Sequence, residues 1–271
     1  NQPINQSTNQ PINQSTNPIE KMTNQKLKYL LRIADNTLIL GQRLGEWCGH
    51  GPVLEQDIAL TNIALDQIGH ARSLYQYAAE LEKKGRTEDD IAFLRDAWDF
   101  YNLLLVEQPN GDFAHTIVRQ FLFDAFNFYF HQELLQSKDS HLAAIAEKSI
   151  KEITYHLRFS SEWMIRLGDG TEESHSRMQT ALDTLWPFSG EALLADELDK
   201  TMCNAGIGAD LEKIKPLVEN KLDAIISEAT LQKPENIWMH SGGKNGQHSE
   251  HLGYILADMQ FLQRAYPGLE W

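Results

Sequence analysis

From Met22 onward the chain repeats its apolar residues at intervals of three and four, and no stretch keeps the strict alternation of a half-buried strand. The pattern predicts a first helix over 24–45, with Leu27, Leu31, Ala34, Leu38 and Gly41 on one stripe. The two glycines and the proline of CGHGP (48–52) end it. A second helix is predicted over 54–83, stopping at KKGRTEDD, and a shorter one over 88–105. The Pro-Asn-Gly content of EQPNGD (107–112) marks a turn. Two long helices follow, over 112–136 and over 140–167, the latter closed by GDG at 168–170. Shorter helices are predicted over 171–186, 190–204 and 208–230. A last helix, over 247–265, is entered from the SGGKNG loop (241–246) and closed by Pro267 and Gly268. Four helices of about 20–30 residues with shorter decorations predict an all-α fold, a four-helix bundle with additional C-terminal helices. A 30-residue helix is about 45 Å long, and soluble bundles of that length usually shelter something at their centre or pair with a partner.

The chain before this pattern is different. Residues 1–16 are one octamer, NQPINQST, written twice. The segment has two isoleucines and no aromatic residue, so it lacks the apolar surface that would offset the cost of ordering its backbone. Residues 1–21 are therefore expected to be a disordered extension outside the native protein, with the natural start at Met22 and a single helical domain over 22–271.

Several polar residues fall on the apolar stripes. In the second helix Ile63, Gln67, His70 and Leu74 share a face at intervals of four, three and four. In the helix over 112–136 the face is Ile117, Phe121, Asp124 and Phe128, and a lone aspartate among phenylalanines is costly to bury unpaired. In the helix over 140–167 it is Ala146, Ser149, Ile153, His156, Ser160 and Trp163. The stretch LDQIGHAR (65–72) nearly spells Glu-x-x-His, the helical signature of a carboxylate-bridged di-iron centre, with Gln67 where the glutamate belongs. Such a centre takes a carboxylate from each of two helices and carboxylate-x-x-His from each of the other two, because four carboxylates balance and bridge two iron ions. Fitted here, the template falls on Leu38, Gln67 with His70, Asp124, and Ile153 with His156. Only Asp124 remains of the four carboxylates. What is left has two readings. One is a buried hydrogen-bonded network in which Asp124 pairs with one or both imidazoles and Gln67 fills the remaining valences. The other is a mononuclear metal site of two histidines and one carboxylate, His70, His156 and Asp124.

Composition narrows the function classes. The formal net charge of −14 argues against a nucleic-acid partner, which requires a basic surface. No apolar run reaches the length of a membrane span. The two cysteines, Cys48 and Cys203, form no motif, and a reducing, cytoplasmic location fits best. Other candidate chemistry is weaker. His248 and His251 stand three apart in HSEH with no third zinc ligand near in sequence, which favours surface contact at a helix start. GGKNG could cradle a phosphate on its backbone amides but lacks the Walker spacing. Glu152 and His156 read as an ordinary i,i+4 helical pair. Glu46, near the end of the first helix, could reach the bundle interior.

From Met22 to Trp271 the chain resembles the C subunits of the bacterial phenylacetyl-coenzyme A epoxidases, also called phenylacetate-CoA oxygenases. The resemblance rests on QRLGEWCGHGP (42–52), NLLLVEQPNGDFA (102–114), YHLRFS (155–160), LWPF (185–188), GGKNGQHSEHLG (242–253) and MQFLQRAYPG (259–268), in that order. It implies a ferritin-like fold and a non-catalytic structural role with no cofactor of its own. The di-iron centre would lie in a paralogous A subunit that inserts oxygen into the ring of phenylacetyl-CoA, with electrons from a separate reductase subunit. Leu38, Gln67 and Ile153 fit a degraded metal site, with no catalytic residue expected in this chain. His70 leaves it richer in ligands than some members of the family, which sustains the alternative of an independent mononuclear-metal enzyme. A free-standing acyl-CoA binding module is the third reading. In isolation the chain is expected to form a homodimer, because the face meant for the paralogue would be left uncovered.

Overall fold

A computed structural model describes residues 17–269. Among the described residues the secondary structure is entirely helical, and the fold is the ferritin-like bundle. Its four long helices are α1 (Pro18–Gly45), α2 (Leu54–Glu82), α5 (Phe113–Leu134) and α6 (Ser140–Gly168). Two short helices, α3 (Glu88–Phe93) and α4 (Leu104–Glu107), lie in the crossover between α2 and α5. After the bundle come α7 (Glu172–Leu185), α8 (Glu197–Asn204), α9 (Leu211–Glu228) and α10 (Glu250–Ala265). α1 packs along α2 and α5 along α6, and contacts between α2 and α6 join the pairs. α7 and α9 cover α5 and α6, whereas α10 lies against α1, α3 and α4.

The helix starts follow from capping side chains. Asp112, Asp139, Asp196, Asp210 and Ser249 each accept a hydrogen bond from the first turn of the helix they open. α5 is apolar nearly all round, and both faces are buried, so its polar residues Arg119, Gln120, Asp124, Asn127 and His131 have nowhere to go but inside. Where α1 crosses α2 the contact is close. A Cβ on Gly41 would lie 3.3 Å from both the Ala64 carbonyl oxygen and the Gln67 Cβ. That closeness sets Gln67 directly against α1.

Three predicted elements come out differently. The helix expected over 88–105 is broken into α3, a short 3-10 turn at Ala97–Asp99 and α4. Side chains of α1 take the amides that a continuous helix would have used internally: Tyr101 N donates to Asp35 Oδ2 at 2.8 Å and Leu103 N to Asn36 Oδ1 at 2.7 Å. The helix expected over 190–204 divides into a 3-10 turn at Gly190–Leu193 and α8. Asp196 must be extended to cap α8, and its carboxylate is also gripped by Arg32. α1 begins at Pro18, capped by Asn17, so residues 18–21 are helical rather than part of a disordered extension, though exposed. The octamer repeat at 1–16 lies outside the described residues.

Candidate functional site at the bundle centre

The bundle brings all six template positions into the interior. Gln67, Asp124, Ile153 and His156 have no accessible surface, and Leu38 and His70 have 4% each. The partners are not the ones the stripes suggested. Asp124 bonds to neither imidazole. It accepts from Gln120 Nε2 at 2.7 Å, one turn back on α5, and from Ser160 Oγ at 2.8 Å on α6. The imidazoles are held by two carboxylates nearer the surface. His156 Nε2 donates to Asp66 Oδ2 at 2.9 Å, and His70 Nε2 donates to Glu152 Oε2 at 2.5 Å. Glu152 and His156 are thus not an intrahelical pair, since each is tied across to α2. The two bonds cross between α2 and α6, one in each direction.

A carboxylate on Nε2 fixes the proton there and leaves Nδ1 as an acceptor facing inward. His156 Nδ1 receives the Gln67 amide nitrogen at 3.4 Å. His70 Nδ1 and Gln67 Oε1 are buried without a partner. The ring centroids of His70 and His156 are 6.4 Å apart. Burial pulls the His70 pKa below the usual histidine range, and the bond from Glu152 only partly opposes it. Burial also pushes the Asp124 carboxyl up to about 7, against the smaller opposing effects of His156, Ser160 and Gln120. Burial thus favours the protonated, neutral form of Asp124 over a wider pH range than an ordinary carboxyl.

The donor set does not fit a di-iron centre. Leu38 and Ile153 carry no ligand atom, Gln67 turns its amide nitrogen to His156, and both oxygens of Asp124 are engaged. Among the described residues no three His, Cys, Asp or Glu side chains converge as a metal would require. Sequence reasoning missed Asp66, Gln120, His131 and the partner of Glu152. Gln120, Asp124, Asn127 and His131 follow at four, three and four on α5, so periodicity could have found two of the four. His131 is buried, its Nδ1 donates to the Asn127 carbonyl at 3.0 Å, and burial with nearby His70 lowers its pKa to about 3. Asp66 and Glu152 belong to no apolar stripe; the i,i+4 spacing drew attention to Glu152 but assigned it to His156 on its own helix, when its partner is His70 on α2.

The remaining candidates have structural employment. Glu46 is at the surface, accepting from Arg43 Nη1 at 2.9 Å and Asn110 Nδ2 at 2.8 Å. The amides of the GGKNG loop are not free for a phosphate, because Gly242 N and Lys244 N donate to Glu191 Oε1 at 2.7 and 3.2 Å. His248 is not a surface contact, for its side chain is 5% exposed and paired with buried Glu107.

The wider chain carries a matching signature. A family profile described as phenylacetic acid catabolic protein matches residues 6–271. The chain is 51% identical over 248 residues to the C subunit of the 1,2-phenylacetyl-CoA epoxidase of Escherichia coli (strain K12), a match spanning 92% of this chain and 100% of that protein. Together with the bundle and the placement of the six template positions, these matches identify the chain as a member of the phenylacetic acid catabolic protein family.

Proposed function

We propose that the chain is the structural, non-catalytic subunit of a multicomponent phenylacetyl-CoA ring epoxidase in aerobic phenylacetate degradation, acting in the cytoplasm beside a di-iron paralogue that performs the oxygen insertion. The observation that carries the reading is the pair Leu38 and Ile153. Both stand buried where a di-iron bundle needs carboxylates, and neither can hold a metal. Identity to an epoxidase C subunit over that protein's whole length supports membership of such a complex. The outer face of α2 supports a docking role, with Leu54, Ile58 and Leu65 exposed at 71%, 51% and 61%. Spaced by four and seven, they form an apolar stripe of the kind that seeks cover from a partner helix.

The test is expression of the chain with and without the di-iron paralogue, followed by a ring-epoxidation assay in the presence of the reductase. Activity is expected only when both are present, and the two should co-purify. A chain that turns over phenylacetyl-CoA alone would overturn the reading. The unpartnered Nδ1 of His70 favours a second reading, in which His70, His156 and Asp124 hold one metal ion. It requires Asp124 to leave Gln120 and Ser160, and stoichiometric binding of ferrous or zinc ion that Asp124→Asn abolishes would support it.

A further inference from the structure

The far half of the C-terminal helix α10 is tied to the end of α3 by Gln260 and Arg264, which donate to the Ala92 and Arg95 carbonyls and to Asp96, whereas the start of α10 is held through a histidine in the preceding loop whose two ring nitrogens both face acceptors. His248 Nδ1 lies 3.0 Å from Glu107 Oε2, and Nε2 lies 2.8 Å from the Phe100 carbonyl oxygen. Neither a carboxylate nor a carbonyl can donate, and a neutral imidazole has one N–H only. With Glu107 as a carboxylate, both bonds exist together only if the ring is doubly protonated. We infer that His248 is a buried imidazolium and that it works as a pH-sensitive latch, holding α10 and the preceding loop on the α3–α4 crossover while protonated and releasing them when it loses its proton.

The surroundings suit a cation. Glu107 has no accessible surface, and its carboxylate also accepts from Asn102 Nδ2 at 3.1 Å and Ser249 N at 2.7 Å, the latter at the cap of α10. Asp35 on α1 adds a more distant negative charge, largely spent on Arg95 beyond the end of α3. Two cations lie close by: Arg43 on α1 donates to the Glu107 main-chain oxygen at 2.8 Å, and the Arg95 guanidinium lies 4.1 Å from the Phe100 ring centroid. Glu250 and His251 flank it on α10 itself, and Asp99 lies in the 3-10 turn just before Phe100. Burial would lower the His248 pKa, but the bonds to Glu107 and Phe100 and the charges of Glu107 and Asp35 outweigh it and raise the value above the usual histidine range.

The loop leaves little room for a partial fit. A Cβ on Gly243 would lie 2.2 Å from the Asn102 carbonyl oxygen, so the loop sits directly on the crossover backbone. Without its proton, His248 can satisfy Glu107 or Phe100 but not both, and a buried acceptor is orphaned. The sign follows from linkage. The folded value is raised, so the latch is fully effective below the ordinary histidine pKa of about 6.5 and weakens as pH rises to the folded value. In that window the opening constant of α10 rises by up to about tenfold per pH unit, then levels off.

The test is made on the full chain, by imidazole nitrogen NMR and by hydrogen exchange of residues 250–265 from pH 6 to 9, corrected for intrinsic exchange rates. Two protonated nitrogens on His248 at pH 6.5 are expected, together with protection of α10 that falls as pH rises further while that of α1 does not follow. In His248→Gln the protection of α10 should be lower and its step with pH absent. An unprotonated ring nitrogen on His248 at pH 6.5 would overturn the latch. So would α10 protection that tracks α1 across the range, a reading the parent protein supplies even if the variant fails to fold.

Discussion

Two buried polar regions of this molecule handle charge in opposite ways. In the crossover and C-terminal clamp each buried carboxylate meets converging donors. Asp35 accepts from Tyr75 Oη at 2.6 Å, from Arg95 Nη2 at 2.5 Å and from Tyr101 N at 2.8 Å. Glu191 collects the amides of Leu104, Gly242 and Lys244. At the bundle centre Asp124 has two neutral donors and no cation in contact, and Gln67 Oε1, His70 Nδ1 and Gln120 Oε1 are left unpartnered. In the clamp, converging hydrogen bonds, joined at Asp35 by the Arg95 guanidinium, replace the water each carboxylate gives up. At Asp124 the same dehydration instead raises the carboxyl's pKa to about 7. The clamp satisfies its buried carboxylates within the fold, whereas the centre keeps buried polar atoms that its neighbours leave without partners.

The largest break in this contrast should come from the clamp. Asp35→Ala leaves Arg95 buried without its carboxylate and the Tyr101 amide without its acceptor on α1, and it should cost about 3–5 kcal/mol in chemical denaturation. A loss below about 1 kcal/mol would show that the pair is not what holds the crossover. Asp124→Ala should cost less, about 1–3 kcal/mol at pH 6, by stranding the Ser160 hydroxyl and the Gln120 amide. An unfolding curve that overlays the parent's would remove Asp124 from any buried network.

Asp124→Asn sharpens the comparison through pH. The folded pKa is raised, so the parent binds the proton more tightly when folded. Its stability relative to the variant should fall as pH rises from about 4 to about 7, by at most about 1.4 kcal/mol per unit, and stay level above. Parallel denaturation of the two proteins between pH 4.5 and 8 measures this directly, and a flat difference would mean an ordinary carboxylate. The smallest effect is expected from removing residues 1–16, whose repeat offers no core-facing pattern. Unfolding midpoint and association with the paralogue should not change, and lost association would assign the repeat a role.

The architecture was readable because helical periodicity reports burial, and the long helices begin and end near their predicted limits. The breaks at 94–103 and 194–196 were not readable. They are made by Asp35, Asn36 and Arg32, distant in sequence, which take backbone amides or the Asp196 carboxylate into tertiary bonds. At the centre, the inward positions of Gln67, His70, Asp124 and His156 followed from spacing, but their partners did not. Asp66 and Glu152 are reached only by side chains crossing from the other helix, and a stripe says nothing of what lies opposite it. His248 failed for the same reason, since Glu107 and Phe100 are far away along the chain.

With Leu38 and Ile153 in place of carboxylates, we propose that the centre of this bundle cannot assemble a di-iron site. The most direct test is the iron content of the purified full chain after expression in iron-replete medium, measured by elemental analysis against protein concentration. Iron is expected well below one atom per chain, unchanged by Asp124→Asn. About two irons per chain, lost on that substitution, would contradict it.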